Sequence, residues 1–179
     1  MGFGESIKAC FARYVTFSGR ASRPEYWYFF LFTLIVSIAA GLIDWLFFTS
    51  ITTLETETSS TTTAISDGPV QGLAALVLFL PQLAVAWRRM HDTGRSGWYV
   101  LLPTLLAAGA FAVLILGIGA ASHFHGGTMD RLLTDATLLI LIPTLIVLLV
   151  SPLIVLWWLT RPSQPGANRY GPNPHEVIP

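Results

Sequence analysis

Four apolar runs, Trp27–Phe48, Val70–Trp87, Trp98–Ala121 and Thr137–Leu159, contain no lysine or arginine, and each is 18 to 24 residues long. The hydrocarbon core of a bilayer takes about 20 residues per helix. A water-soluble domain cannot bury four such runs, and only 11% of the chain is charged, against about 25% in ordinary soluble domains. The runs predict an all-α integral membrane protein with four transmembrane helices in an up-and-down bundle. At 1.5 Å per residue the second run spans only about 27 Å and the third about 36 Å. The second must stand upright or borrow a turn from Arg88–Met90, and the third must tilt or bend, with Pro103 the natural place.

The basic residues set the orientation. Lys8, Arg13, Arg20 and Arg23 precede the first run, Arg88, Arg89 and Arg95 lie between the second and third, and Arg161 and Arg169 follow the fourth. Four spans put all nine on one side, leaving Arg131 alone on the other. Loop cations are retained in the cytoplasm, so both termini are expected to face inward in a plasma membrane. The division is then a cytoplasmic N-terminal segment, 1–26, a transmembrane domain, 27–159, and a cytoplasmic Pro/Gly-rich tail, 160–179. Five of the six tryptophans, Trp27, Trp87, Trp98, Trp157 and Trp158, fall at inner ends of spans, where amphipathic rings anchor a helix in the interface.

Residues 5–16 place Ile7, Phe11, Tyr14 and Val15 on one stripe beside Lys8 and Arg13, the pattern of an amphipathic helix lying in the headgroup layer. Ser22 and Glu25 have the spacing of a capping box that would start the first span at Arg23. Pro24 disfavours helical geometry at Arg23, so Arg23 is the alternative cap. Residues 49–68, rich in Thr and Ser, read as a mobile outer loop, and 122–136 as a second. Gly94 is placed to close the second span in the left-handed region, and Ser96 to cap the third. The tail has too many prolines and glycines for a helix and must be extended or docked on the inner face. Ser37-Ile38-Ala39 offers a signal-cleavage pattern, but the aromatic-rich 26 residues before the first run and the three spans after it argue against a cleaved leader.

Two stretches are distinctive: Phe17-Ser18-Gly19-Arg20-Ala21-Ser22-Arg23-Pro24-Glu25-Tyr26-Trp27, and Arg88-Arg89-Met90-His91-Asp92-Thr93-Gly94-Arg95-Ser96-Gly97-Trp98. With the closing Asn168-Arg169-Tyr170-Gly171-Pro172-Asn173-Pro174, the chain resembles the bacterial inner-membrane family catalogued as domain of unknown function 805, the YhaH-like proteins. The resemblance implies a small polytopic protein of the bacterial inner membrane. It carries over no catalytic residue, because the family has none assigned.

All three motifs lie at the inner level, and two uses compete for them. One is an interlocked structural cap in which Arg88 and Arg89 complement the helix dipole and Glu25 and Asp92 pair with arginines. The other is an anion or lipid-headgroup site made by Arg20, Arg23, Arg88, Arg89, Arg95 and Arg169, with Glu25, His91, Asp92 and Tyr170 as a supporting polar cluster, since guanidiniums bind phosphate bidentately. The second use gives a non-enzymatic membrane protein that binds anionic lipid or a protein partner. A small transporter or channel is the alternative, although polar groups within the spans are few: Asp44, Gln82, Thr104, Thr144 and Ser151. Asp44 is expected to reach the outer interface, and Gln82 to bond between helices. A membrane-embedded enzyme acting on a phosphorylated lipid is the second alternative. It is weak because His91 and Asp92, as neighbours in sequence, do not face one another on a helix, and no nucleophile or phosphate-loop motif is present. No cofactor and no metal is expected; His123 and His125 read as solvent-exposed polar residues. Lone Cys10 forms no internal disulfide and reads as a small interfacial residue. Small residues at helical spacing, such as Gly117 and Ala121, permit close helix packing and self-association. Nothing points to nucleic acid.

Overall fold

The computed structural model describes residues 1–56, 59–66, 68–122 and 127–174. The element order is α1 (Phe3–Ala12), α2 (Arg23–Phe47), a two-stranded ribbon of β1 (Thr49–Thr56) and β2 (Ser59–Ser66), α3 (Pro69–Asp92), a 3₁₀ turn (Gly97–Leu101), α4 (Leu102–Ser122) and α5 (Thr128–Thr160). Four helices are long and apolar enough to cross a membrane. They pack as two pairs, α2 along α3 and α4 along α5. Leu116, Leu139 and Leu149 are 72%, 76% and 72% exposed, a surface that suits lipid and not water.

The spans differ from their sequence limits for local reasons. Ser22 is the cap of α2 and its hydroxyl accepts from the Glu25 N–H at 3.3 Å. Pro24 therefore falls in the first turn, where its missing N–H costs nothing. α3 borrows not one turn but all of Arg88–Asp92, and Gly94, at φ +77°, closes it. Ser96 occupies the cap position of the 3₁₀ turn, and its side chain makes no capping bond. Pro103 causes no mid-span bend: it is the second residue of α4, at the junction where the 3₁₀ turn widens into α-helix. α5 begins at Thr128, so much of the expected second outer loop is helical. The segment expected as the first outer loop is a ribbon, with Thr49 opposite Ser66 and Thr56 opposite Ser59. Its β-branched threonines favour the extended backbone. α1 stops at Ala12, short of the expected end, and leaves Tyr14 and Val15 in the following turn.

Helix-interior prolines leave carbonyls without an intrahelical donor, which hydrocarbon does not tolerate. Pro81 orphans the Val77 carbonyl, and the hydroxyl of Tyr14 donates to it. Pro152 orphans Leu148, and the neighbouring Ser151 hydroxyl donates to that carbonyl at 3.2 Å. The start of α3 finds its cap on another helix. Its cap residue is Gly68, which has no side chain, and the Asp44 carboxylate of α2 accepts from the N–H groups of Val70 at 3.0 Å and Gln71 at 2.7 Å. Asp44 is thus buried, 2% exposed, as a clamp between helices one turn from the end of α2.

The core lies at the basic end. Cys10 of α1, Tyr26 and Phe29 of α2, Val85, Ala86 and Met90 of α3, and Val155 and Leu159 of α5 form one buried cluster. Phe11 packs edge-on against Phe29 and Phe32, seating α1 on α2. An aromatic layer joins these elements to the 3₁₀ turn: Trp87 meets Phe17 and Trp98, and Tyr99 meets Trp158. A Cβ on Gly97 would come within 2.1 Å of the Trp87 ring, so only glycine lets the turn lie this close.

Candidate functional site

Above that core, three arginines are buried and Asp92 is the hub that joins two of them. Arg20 follows the turn at Gly19, whose φ of +86° aims the next residue inward. Its Nε donates to Asp92 Oδ1 at 2.9 Å, and its two terminal nitrogens donate to the carbonyls of Gln164 (2.6 Å), Gly166 (2.7 Å), Gly171 (3.4 Å) and Asp92 (3.5 Å). A guanidinium has five N–H groups, and here each has an acceptor within the chain. Arg89 donates to Asp92 Oδ2, to the Leu159 carbonyl at 3.1 Å and to the Arg161 carbonyl. The last turn of α5 contains no basic residue, so Arg89 supplies from α3 the cation that its dipole and open carbonyls call for. Ser163 Oγ completes the hub by donating to Asp92 Oδ2 at 2.5 Å.

Arg88 points the other way, as successive helical residues must, being about 100° apart. It pairs with Glu25 at 2.5 Å, and its backbone carbonyl accepts from the Ala21 N–H at 3.1 Å. Arg88 Nε and its second terminal nitrogen have no partner among the described residues. Cys10 lies beside this pair. Burial, reinforced by the Glu25 charge, pushes its thiol up to about 12, so at neutral pH it is an inert apolar filler.

The tail is docked. Besides the carbonyls gripped by Arg20, the Gln164 N–H donates to the Asp92 carbonyl at 2.9 Å and Asn168 Nδ2 to the His91 carbonyl at 2.9 Å. Tyr170 stacks flat on His91, with ring centres 3.7 Å apart. His91 Nδ1 lies 3.1 Å from the Gly19 carbonyl. Because a carbonyl only accepts, Nδ1 carries the proton. His91 and Asp92 therefore serve different partners and form no dyad.

The other candidate arginines are placed differently. Arg23 is exposed and donates from Nε to the Arg161 carbonyl at 3.0 Å. Arg95 is half-buried, with its guanidinium 5.0 Å from the Trp158 ring centre. Arg169 is exposed and lies over Tyr170 at 4.6 Å. Arg161, absent from the sequence-derived site, is exposed and lies over Trp157 at 4.5 Å. Tail residues Ser163, Gln164, Gly166 and Asn168 are likewise outside that site; Gln164 and Gly166 act through backbone groups that leave no composition signal, and Ser163 and Asn168 through short neutral side chains. His123 and His125 lie outside the described residues.

Four spanning helices closed at one end by this interlocked cap define a polytopic membrane protein. The chain belongs to the family described as protein of unknown function (DUF805), which matches residues 14–172 and so takes in the whole cap. It is similar to the inner membrane protein YhaH of Escherichia coli K12, at 32% identity over 61% of this chain and 80% of that one. It is also similar to the inner membrane protein YhaI of the same strain, at 44% identity over 50% of this chain and 62% of that one. No solved structure shows significant similarity.

Proposed function

We propose that this is a non-enzymatic inner-membrane protein whose basic end faces the cytoplasm and binds anionic lipid headgroups through Arg23, Arg161 and Arg169. In this reading Arg20, Arg88 and Arg89 hold the end together and take no part in binding. The observation that carries it is the division of donors. Arg20 and Arg89 direct every N–H-bearing nitrogen at the chain itself, whereas Arg23, Arg161 and Arg169 are exposed at the same level. Arg161 over the half-exposed Trp157 is the combination of cation and amphipathic ring that suits the interface. Each cation near an anionic leaflet contributes about 1 kcal/mol. Three together favour anionic over neutral lipid by about a hundredfold.

The test is native mass spectrometry of the protein in nanodiscs of mixed phosphatidylglycerol and phosphatidylcholine. The wild type should retain phosphatidylglycerol in excess of its bulk fraction, less so in high salt. The triple variant Arg23→Gln, Arg161→Gln, Arg169→Gln should lose that excess with helicity and melting unchanged. An excess that survives the triple variant refutes the assignment, and an active alkaline phosphatase fused to the tail refutes the orientation.

A further inference from the structure

We infer that the headgroup site continues into the membrane as a cleft that holds one acyl chain, so that the ligand is a whole anionic glycerophospholipid seated between α2 and α5; the inference rests on the headgroup reading above. The cleft has a volume of about 280 Å³ and is walled by Tyr26 of α2, Phe79 and Gln82 of α3, Val100 of the 3₁₀ turn, and Val155 and Leu159 of α5. That is far more than the single-water void that packing faults leave. Phe79, at its mouth, is 60% exposed, and because α3 is a spanning helix the cleft opens sideways to lipid and not to water.

A second cavity, of about 480 Å³, lies at the head of the same seam, walled by Arg23, Pro24, Pro162, Ser163 and Asn173. Arg23 stands one helical turn before Tyr26, and Pro162 and Ser163 follow Leu159 by three and four residues. The bond from Arg23 to the Arg161 carbonyl bridges α2 and the end of α5 at that level. No carboxylate lines either cavity among the described residues, so nothing opposes an anion there. Glu25 and Asp92 are neutralised by Arg88 and by Arg20 and Arg89.

Gln82 adds a depth marker. Its Oε1 is buried without a partner in an otherwise apolar wall, and the residue lies about 10 Å below Arg89 by helical rise. The polar layer of a leaflet is about 5–8 Å thick, so with a phosphate at Arg23 and Arg161 the side-chain amide reaches the level where ester groups meet the chains. There its N–H₂ end can donate to an ester carbonyl.

The probe is a phosphatidylglycerol carrying a diazirine in one acyl chain, reconstituted with the full-length protein in nanodiscs, photolysed and mapped by peptide mass spectrometry. A phosphatidylcholine with the same chain is the control. Crosslinks should concentrate on residues 26, 79–82 and 155–159, about tenfold over the control lipid. Val100→Trp, which fills the mouth from the 3₁₀ turn, should remove them. Gln82→Met, which keeps volume and removes the amide, should weaken them in a chain whose melting is unchanged. Crosslinks spread over the lipid-facing sides of α4 and α5, with none concentrated in the cleft, overturn the inference, and they do so without touching the headgroup reading if phosphatidylglycerol is still retained in the mass spectra. Equal labelling of the cleft by both lipids refutes the anionic selectivity and the headgroup reading with it.

Discussion

Asp92→Ala should be among the most damaging single substitutions in this chain. Asp92 is fully buried and accepts from Arg20 Nε at 2.9 Å, from Arg89, and from Ser163 Oγ at 2.5 Å. Removing it strands two guanidiniums, both themselves buried. Deleting one partner of a buried ion pair costs about 3–5 kcal/mol. Arg20 and Arg89 keep their carbonyl acceptors, which holds the loss within that range although two pairs are broken. Against a total stability of about 5–15 kcal/mol, the loss is large. It should appear in two places: as a lower midpoint in detergent-titrated unfolding, and as faster amide exchange across 163–171, because the tail is held through Arg20. The triple variant Asp92→Leu, Arg20→Met, Arg89→Leu should recover much of the core stability, since apolar replacement of a whole buried ionic cluster is often neutral or better, while the tail stays undocked. A single Asp92→Ala variant within about 1 kcal/mol of wild type, with the tail still protected, would refute the assignment of Asp92 as the hub.

Three further outcomes follow from the same geometry. Asp44→Ala removes both acceptors at the start of α3 and should cost about 1–3 kcal/mol, read as a lower unfolding midpoint, with faster exchange at Val70 and Gln71. Tyr14→Phe keeps the ring and leaves the Val77 carbonyl orphaned, for a loss of about 1 kcal/mol; the same change in a Pro81→Ala background should cost nothing, because the backbone N–H that the alanine restores then takes that carbonyl. Cys10, with its thiol pushed up to about 12, should resist maleimide at pH 8, where about one thiol in ten thousand is ionised, until the protein is unfolded in dodecyl sulfate, where an ordinary thiol reacts freely. The folded state binds this proton more tightly than the unfolded state does. Its contribution is therefore intact below about pH 8.5 and is lost as pH rises toward 12, at no more than about 1.4 kcal/mol per unit. Cys10→Ala should lack that slope in alkaline unfolding titrations.

Features that depend on one stretch of chain are legible in the sequence alone. The four spans follow from apolar length, the Ser22 cap from its spacing to Glu25, and the left-handed close of α3 from Gly94. Features that depend on what a helix end meets across space are not. The cap position of α3 is Gly68 and the last turn of α5 has no basic residue; each deficit is visible in the sequence, but the residue that fills it, Asp44 or Arg89, belongs to another helix. The same limit explains the arginines. Arg88 and Arg89 are adjacent, so they must point about 100° apart, and a wedge between two neighbours follows from that alone. That one neighbour presents Glu25 and the other the open carbonyls of Leu159 and Arg161 is tertiary information. Basic residues counted at a membrane face measure cations and not free donors. What remains for an outside phosphate is the count less every buried guanidinium whose nitrogens are directed at carbonyls or carboxylates of the chain. By that measure Arg20 and Arg89 are consumed by the fold, Arg88 is locked to Glu25, and the capacity to bind shifts to the exposed arginines, one of which, Arg161, lies in none of the sequence motifs.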